Sequence, residues 1–150
     1  MTEADFRETE VFLLHKLVIH LDQFARNEVL RNEGITYSEF LVLMAVAEVE
    51  VPVHDNVCRY LDQSKSLVSQ KITALRTKGL VRQQERSENR RQTLVYLTAE
   101  GAQVLSRTAG LLSAASEELF TLLGAGRETF HNDLRVLVEE MASRSNGKSV

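Results

Sequence analysis

Apolar residues recur at helical spacing near the start of the chain. Between residues 6 and 31 they lie at i, i+3, i+4, i+7 and i+10, which predicts a long amphipathic helix: Leu14, Leu17, Val18, Leu21 and Phe24. This stripe is widened by three further apolar residues, Val11, Phe12 and Leu13. The helix is therefore predicted to bury two faces, as helices that pack against a second subunit often do. Gly34 is predicted to end the segment.

The next two helices are short. Thr36 and Glu39 have the spacing of a capping box, in which the hydroxyl and the carboxylate satisfy free backbone donors at the start of a helix. The nearly continuous apolar run over residues 40–47 predicts that this helix lies in the core. Pro52 fits just before or at the first turn of a further helix over residues 53–61.

A polar break over residues 62–64 separates that helix from the next, over residues 64–78. Its apolar positions share one face: Val68, Ile72 and Leu75. A basic last turn followed by Gly79 predicts its end. After Gly79 the period changes, and residues 80–85 and 92–98 predict the two strands of a hairpin.

The six residues between these strands, 86–91, contain three arginines and no apolar side chain, and we call them the wing. Thr98 is placed to cap a further helix, and the glycine-rich residues 124–126 divide it from a last one. We expect residues 144–150 to fray. The order α-α-α-α-β-β-α-α predicts a mainly α fold: a winged helix-turn-helix domain with a two-stranded β-wing, flanked by helices at both ends.

Composition places the chain among single-domain globular proteins, with 150 residues, 43% hydrophobic and 26% charged. The single cysteine, Cys58, excludes an internal disulfide and a CxxC motif. The acidic N-terminus is not typical of a secretory signal, and no apolar run approaches the ~20 residues that span a bilayer. These features predict a cytoplasmic protein without a membrane partner.

The net charge of −3 conceals an uneven distribution. Residues 59–91 hold nine Lys and Arg against three Asp and Glu, for a net charge of +6, whereas the rest of the chain carries −9. A basic segment within an acidic protein is typical of a site for a polyanion, although a solvated charged face would have the same composition.

The helix over residues 64–78 is predicted to be the DNA-recognition helix, braced by the helix before it. Opposite its apolar face it carries short or planar polar side chains that suit phosphates and base edges, and no acidic residue, whereas a merely solvated helix more often shows Glu–Lys pairs. The predicted contact residues are Ser64, Lys65, Ser66, Ser69, Gln70 and Thr73. Arg76 and Lys78 are expected to approach phosphates.

These residues carry a resemblance to a known family. From Leu61 to Gly101 the sequence LDQSKSLVSQKITALRTKGLVRQQERSENRRQTLVYLTAEG resembles the winged-helix core of MarR-family (multiple antibiotic resistance regulator) transcription factors. The resemblance implies a cytoplasmic homodimer that binds double-stranded DNA at a pseudo-palindromic operator. Residues 1–35 and 99–143 would form the dimerisation region and residues 36–98 the DNA-binding region. Members usually repress transcription, and many release DNA when a small, often phenolic ligand or an oxidant arrives.

The wing departs from the family pattern at one position. The family usually has Asp, a variable residue and Arg, where this chain has Asn89, Arg90 and Arg91. An amide can accept a hydrogen bond from a guanidinium but lacks the charge of a carboxylate, so the resemblance implies a weaker orientation of Arg91. Together with Arg86, these residues are predicted to contact a DNA minor groove.

Evidence in the sequence for a sensed ligand is weaker. The family's pocket lies where the dimerisation helices meet the winged domain, which makes His15, Phe40 and Met44 candidate pocket residues for a small aromatic ligand, although each also suits a core or interface position. Cys58 has no basic neighbour on its helix face that would activate a thiol. The histidines lack metal-ligand spacing, so we expect no metal and no cofactor.

No sequence motif of an enzyme is present, so we expect a regulator and not a catalyst. Two alternatives stay open. The winged fold could have lost specific DNA binding and serve as a protein-interaction module, which the acidic total charge and Asn89 favour. The protein could also bind DNA constitutively, without a ligand.

Overall fold

The computed structural model describes residues 6–146. The chain forms two compact units, one up to Gly110 and one from Leu111 onward. The predicted order of elements is confirmed. The helices are α1 (Glu10–Phe24), α2 (Tyr37–Glu48), α3 (His54–Leu61), α4 (Lys65–Thr77), α5 (Ala99–Thr121) and α6 (Arg127–Asn146), and the strands are β1 (Val81–Arg86) and β2 (Asn89–Leu97).

The first helix is less regular than its apolar pattern predicts. After α1 the chain continues through a wider π-helical turn, Ala25–Leu30, and a 3-10 turn, Arg31–Glu33. It ends at Gly34, which adopts φ +67, a left-handed conformation that glycine reaches without strain. Burial begins only at the π-helical turn, and α1 itself has no buried residue, so the two faces predicted to be buried are not covered by any of residues 6–146.

Helix α2 is the centre of the core in the first unit. Its predicted capping box is confirmed, because Glu39 N–H donates to Thr36 Oγ1 at 3.2 Å and Thr36 N–H donates to Glu39 Oε2 at 2.9 Å. Helices α3 and α4 and strand β2 all pack against α2. The buried apolar side chains of α2 are Phe40, Val42, Leu43, Ala45 and Val46.

The hairpin is longer than its hydrophobic pattern predicts, and its turn is shorter. Strand β1 extends to Arg86 and β2 starts at Asn89, so only Ser87 and Glu88 lie in the turn and most of the wing belongs to strands. The register runs from Val81 opposite Leu97 to Arg86 opposite Asn89, with a bulge after Glu85. The extension escaped prediction because the wing extends beyond the core and therefore lacks the apolar alternation that marks a half-buried strand.

The base of the hairpin is tied to the elements on both sides of it. Val95 N–H donates to the Pro52 carbonyl at 2.8 Å, which adds the segment before α3 to the edge of the sheet. At the other side Thr98 caps α5 as predicted, accepting from Gly101 N–H at 3.0 Å while its hydroxyl donates to the Gly79 carbonyl at 2.7 Å. A methyl group at Gly101 would collide with the Leu80 carbonyl oxygen, so α5 approaches this junction as only glycine permits.

The second unit contains the end of α5, the turn Gly124–Gly126 and α6. Phe120 and Phe130 lie with ring centroids 6.1 Å apart, and Arg127 pairs with Glu117. Residues 111–145 include no buried side chain, although several of their exposed side chains are large and apolar: Leu111, Leu122, Val136, Leu137, Val138 and Met141.

Helix α6 continues to Asn146, further than the fraying predicted from residue 144. Arg144 forms an ion pair of 2.7 Å with Glu140, one turn earlier, which supports the last turn of the helix. The rest of the predicted tail, residues 147–150, lies outside the described residues.

Candidate nucleic-acid interface

Helices α3 and α4 form a helix-turn-helix in the first unit. The turn between them passes through Asp62, which adopts φ +51, and Gln63, whose N–H donates to the Cys58 carbonyl at 3.0 Å. Ser64 is the N-cap of α4 and accepts from Leu67 N–H at 3.3 Å. The predicted role of Ser64 in DNA contact therefore coincides with a capping role that fixes where the recognition helix begins.

The polar face predicted for α4 is present. Val68, Ile72 and Leu75 are buried against the core, and this burial turns the opposite side of the helix to solvent. Exposed on that side are Ser66, Gln70 and Thr73. No acidic residue occurs between Lys65 and Thr77. The arrangement offers hydroxyl and amide groups to a groove without charge repulsion from the helix itself.

Two of the predicted contact residues also contact helix α3. Lys65 Nζ lies 2.8 Å from Asp55 Oδ1. This hydrogen bond, together with the charge of Lys65, lowers the pKa of Asp55, and the same bond, together with the charge of Asp55, raises the pKa of Lys65. Ser69 is half-buried, with its Oγ 3.4 Å from Nδ1 of His54. Both contacts connect the first turn of α3 to α4.

His54 also has an unusual second nitrogen. Its Nε2 is buried and has no hydrogen-bond partner. Among the described side chains of residues 6–146, it is the one buried polar atom of this kind. Nearby Cys58 is buried, and burial, with a smaller effect of Asp55, raises the pKa of its thiol. A raised pKa keeps the thiol protonated and unreactive.

The end of α4 is connected to the hairpin and to the start of α2. Arg76 donates to Gln83 Oε1 of β1 at 2.8 Å, so its guanidinium is anchored beside the hairpin. Lys78, which is predicted to approach phosphate, donates to Glu39 Oε2 at 2.7 Å and to the Gly34 carbonyl at 2.8 Å. Sequence could not reveal this contact, because the partners lie 39 and 44 residues away along the chain.

The wing arginines differ in their surroundings. Arg86 donates to Gln92 and to Glu88, both at 3.2 Å, so part of its charge is balanced within the hairpin. Arg91 is exposed. The side chains of Asn89 and Arg90 lie outside the described residues, and the predicted weaker orientation of Arg91 by Asn89 stays a prediction. Arg82 of β1 lies over the ring of Tyr96 at 5.0 Å, a further cation beside the wing that sequence analysis did not single out.

The three candidate pocket residues lie in different environments. Phe40 is buried and stacks with Tyr37 at a centroid distance of 6.0 Å, Met44 is half-buried one turn further along α2, and His15 is exposed on α1. Burial, with a smaller contribution from Asp22, raises the pKa of the Tyr37 hydroxyl. Tyr37 is thus a polar group beside Phe40 that the sequence analysis did not include.

Within residues 6–146 no group of three or more potential ligands is arranged to hold a metal ion. Over the same residues no helix has the length and apolarity needed to cross a membrane.

Comparison with known proteins identifies this arrangement. Residues 35–101 match the family model described as a winged helix DNA-binding domain. No curated protein matches the sequence. Among solved structures, the PcaV transcriptional regulator from Streptomyces coelicolor, in complex with its natural ligand, has a TM-score of 0.81 at 20% identity, over 95% of this chain and 99% of that chain.

Two further solved structures extend this likeness. MepR from S. aureus, bound to DNA, has a TM-score of 0.79 at 15% identity, over 89% of this chain and 96% of that chain. MarR from E. coli, in its apo form, has a TM-score of 0.69 at 23% identity, over 87% of this chain and 96% of that chain. At these identities the likeness establishes the fold, and the resemblance predicted from the sequence is confirmed at that level.

Proposed function

Because the chain contains a winged helix DNA-binding domain and has the fold of MarR-family regulators, we propose that it binds duplex DNA and regulates transcription. The observation that carries this proposal is the exposed, acid-free face of α4, with Ser66, Gln70 and Thr73 at helical spacing on a well-packed helix. In the proposed complex this face enters a major groove while the wing reaches the adjacent minor groove.

We further propose that the protein acts as a homodimer. Residues 1–35 and 99–143 form the dimerisation region, residues 36–98 bind DNA, and two copies recognise a pseudo-palindromic operator. The apolar side chains exposed on α1 and α6 support a dimer, because so many large apolar side chains on the surface suit a subunit interface. These side chains include Val11, Leu13, Val18, Val136, Leu137 and Val138.

The regulator is proposed to be a cytoplasmic repressor that a small aromatic ligand releases from DNA, and not an enzyme. PcaV was solved with its natural ligand, and the DNA binding of BpsR from Bordetella bronchiseptica is regulated by 6-hydroxynicotinic acid. The proposal that a small molecule regulates this chain rests on these two relatives in fold. For this chain, His15, Phe40 and Met44 are the candidate pocket residues.

A titration of the purified protein against labelled DNA from upstream of its own gene, beside a scrambled duplex, tests the proposal. Tight, sequence-dependent binding that weakens steeply with salt is the expected result. If binding is weak and equal on both duplexes, a selection from random duplexes follows. A selection without any preferred site would overturn the proposed function in favour of a protein-interaction module.

A further inference from the structure

Lys78 lies at the end of α4 but not on its polar face. It is the C-cap residue of the helix, and five residues at 3.6 per turn place it about 140° around the axis from Thr73. Its side chain is 37% exposed, and its ammonium group bonds two partners that belong to the start of α2 and to the end of the first helical segment. A lysine so placed is directed toward the protein and away from a groove.

The partner of Lys78 is a buried carboxylate. The side chain of Glu39 is only 6% exposed, and its Oε2 accepts both from Lys78 Nζ and from Thr36 N–H. A carboxylate is costly to bury unless it is paired, so the Lys78–Glu39 contact has a strong reason to persist. The bond from Lys78 to the Gly34 carbonyl adds the left-handed turn that ends the first helical segment.

The same turn is held from another side. Arg107 of α5 donates to both carboxylate oxygens of Glu33, at 3.0 and 2.8 Å. Residues 33–39 therefore receive one basic side chain from α5 and one from the end of α4. The position of the recognition helix is thus connected by charged hydrogen bonds to a short segment that leads out of the first helix.

From this geometry we propose that Lys78 is a positioning residue for DNA binding: through Glu39 and the Gly34 carbonyl it fixes the C-terminal end of α4, and it does not contact phosphate. The inference rests on the proposed function, since it assigns a role within the same DNA-binding surface. It replaces the sequence-based expectation that Lys78 is one of the residues that bind the DNA backbone.

The test compares three substitutions with a phosphate-contact control. Lys78→Met removes the ammonium group and keeps the chain length, Lys78→Arg keeps a donor, and Glu39→Gln removes the charge while leaving an oxygen for Thr36 N–H. Arg91→Ala, at an exposed arginine of the wing that is expected to contact the DNA backbone, is the control. Affinity for the DNA that the wild type prefers is measured at several salt concentrations, and thermal unfolding of each variant is recorded.

We expect Lys78→Met to weaken binding roughly 2- to 30-fold without changing the slope of log K against log salt. Lys78→Arg should restore most of the affinity. Glu39→Gln should also weaken binding, although it removes a negative charge, and the double variant Lys78→Met/Glu39→Gln should be no weaker than the weaker single variant. Arg91→Ala should flatten the salt slope.

Two results would overturn the proposal. A salt slope flattened by Lys78→Met as it is by Arg91→Ala would make Lys78 a phosphate contact, and tighter binding by Glu39→Gln would agree with that. An unchanged affinity with a lower unfolding temperature would give Lys78 a purely structural role. If Lys78→Met does not fold, Glu39→Gln alone decides between the two roles: weaker DNA binding supports the positioning role, and tighter binding contradicts it.

A measurement without DNA separates this proposal from the proposed function. If α4 is held as described, Lys78→Met should speed amide hydrogen exchange over residues 75–78 in the free protein and leave residues 65–68 unchanged. Equal exchange rates over residues 75–78 in the variant and the wild type would contradict the positioning role. A wild type that binds no DNA contradicts the proposed function alone.

Discussion

The winged-helix region, residues 35–101, buries its apolar side chains, whereas most of the helices outside it leave theirs exposed. Within the first, α2 alone buries five apolar side chains. In α1 and over residues 111–145, no side chain is buried and many large apolar groups are exposed. The exposed face of α4 is polar and free of acid, whereas the exposed faces of α1 and α6 are rich in valine and leucine.

This difference agrees with the two kinds of partner proposed above, DNA and a second copy of the chain. A region with a packed core and a polar, locally basic surface is complete by itself and suits a polyanion. Helices with exposed leucine and valine side chains are complete only when another apolar surface covers them. The comparison therefore predicts that substitutions in the two regions have separable effects, on folding and DNA contact in one and on association in the other.

The largest expected effect is the loss of a core side chain. Leu43→Ala should lower the free energy of unfolding by about 2–5 kcal/mol, because Leu43 is fully buried in α2. The chain has no tryptophan, and its three tyrosines all lie within residues 35–101: Tyr37, Tyr60 and Tyr96. Tyrosine fluorescence during urea unfolding therefore reports on this region.

The same substitution at Leu137, which is 53% exposed, is the matched control. It should change the unfolding of residues 35–101 by no more than about 0.5 kcal/mol. Equal losses at Leu43 and Leu137 would contradict the division between the two regions.

Association should depend on the exposed face of α6. Val138→Glu is expected to raise the dimer dissociation constant by roughly two orders of magnitude, because an unpaired carboxylate buried in an interface costs on the order of 3 kcal/mol. Sedimentation over a range of protein concentrations measures the change. Val138→Thr should have a smaller effect in the same direction, and a Val138→Glu variant that stays dimeric would exclude this face from the interface.

DNA contact should divide between α4 and the wing. Gln70→Ala is expected to lose about 1–3 kcal/mol at one base pair only, because a glutamine amide can bond a single adenine with two hydrogen bonds. Arg91→Ala should weaken binding to all sequences and flatten the salt slope by about one for each phosphate that the dimer no longer neutralises. Titration of matched and single-base-altered duplexes distinguishes the two, and an equal loss on every duplex for Gln70→Ala would restrict Gln70 to the backbone.

The smallest effect is expected at the ion pair between Arg107, which is 54% exposed, and Glu33. The hydrogen bond from Arg107 lowers the pKa of Glu33 below its ordinary value of 4.5. The pair therefore stabilises the fold fully at pH values above 4.5, and this stabilisation is lost as the pH falls through the lowered pKa of Glu33. Arg107→Gln should therefore reduce the unfolding temperature slightly at pH 7 and have no effect at acid pH below the lowered value. A difference from the wild type that stays constant as the pH falls would contradict this account.

Local signals in the sequence were sufficient for the order of elements. The capping box of Thr36 and Glu39 and the helix ends at Gly34 and Gly79 depend on neighbours within a few residues, and all were predicted. The face of α4 was predictable for a similar reason, since the positions of Val68, Ile72 and Leu75 determine which side of a helix is left to solvent.

Contacts between distant residues were not predictable. The pairing of Asp55 with Lys65, and of Lys78 with Glu39, depends on how helices cross, which a single sequence does not encode in any local pattern. The two-residue turn of the hairpin was missed because the wing has polar side chains on both faces, so that the period of a strand disappears although the backbone pairing continues.

The close approach at Gly101 sets the order in which the protein can assemble during its synthesis. The Leu80 carbonyl accepts from Thr98 N–H at 3.0 Å, and the first turn of α5 lies against the same carbonyl because residue 101 lacks a side chain. A nascent chain that has emerged only as far as β2 therefore lacks the turn that covers this junction. The winged-helix region is completed on the ribosome only once the start of α5 has left the exit tunnel, before the rest of α5 and α6 have emerged.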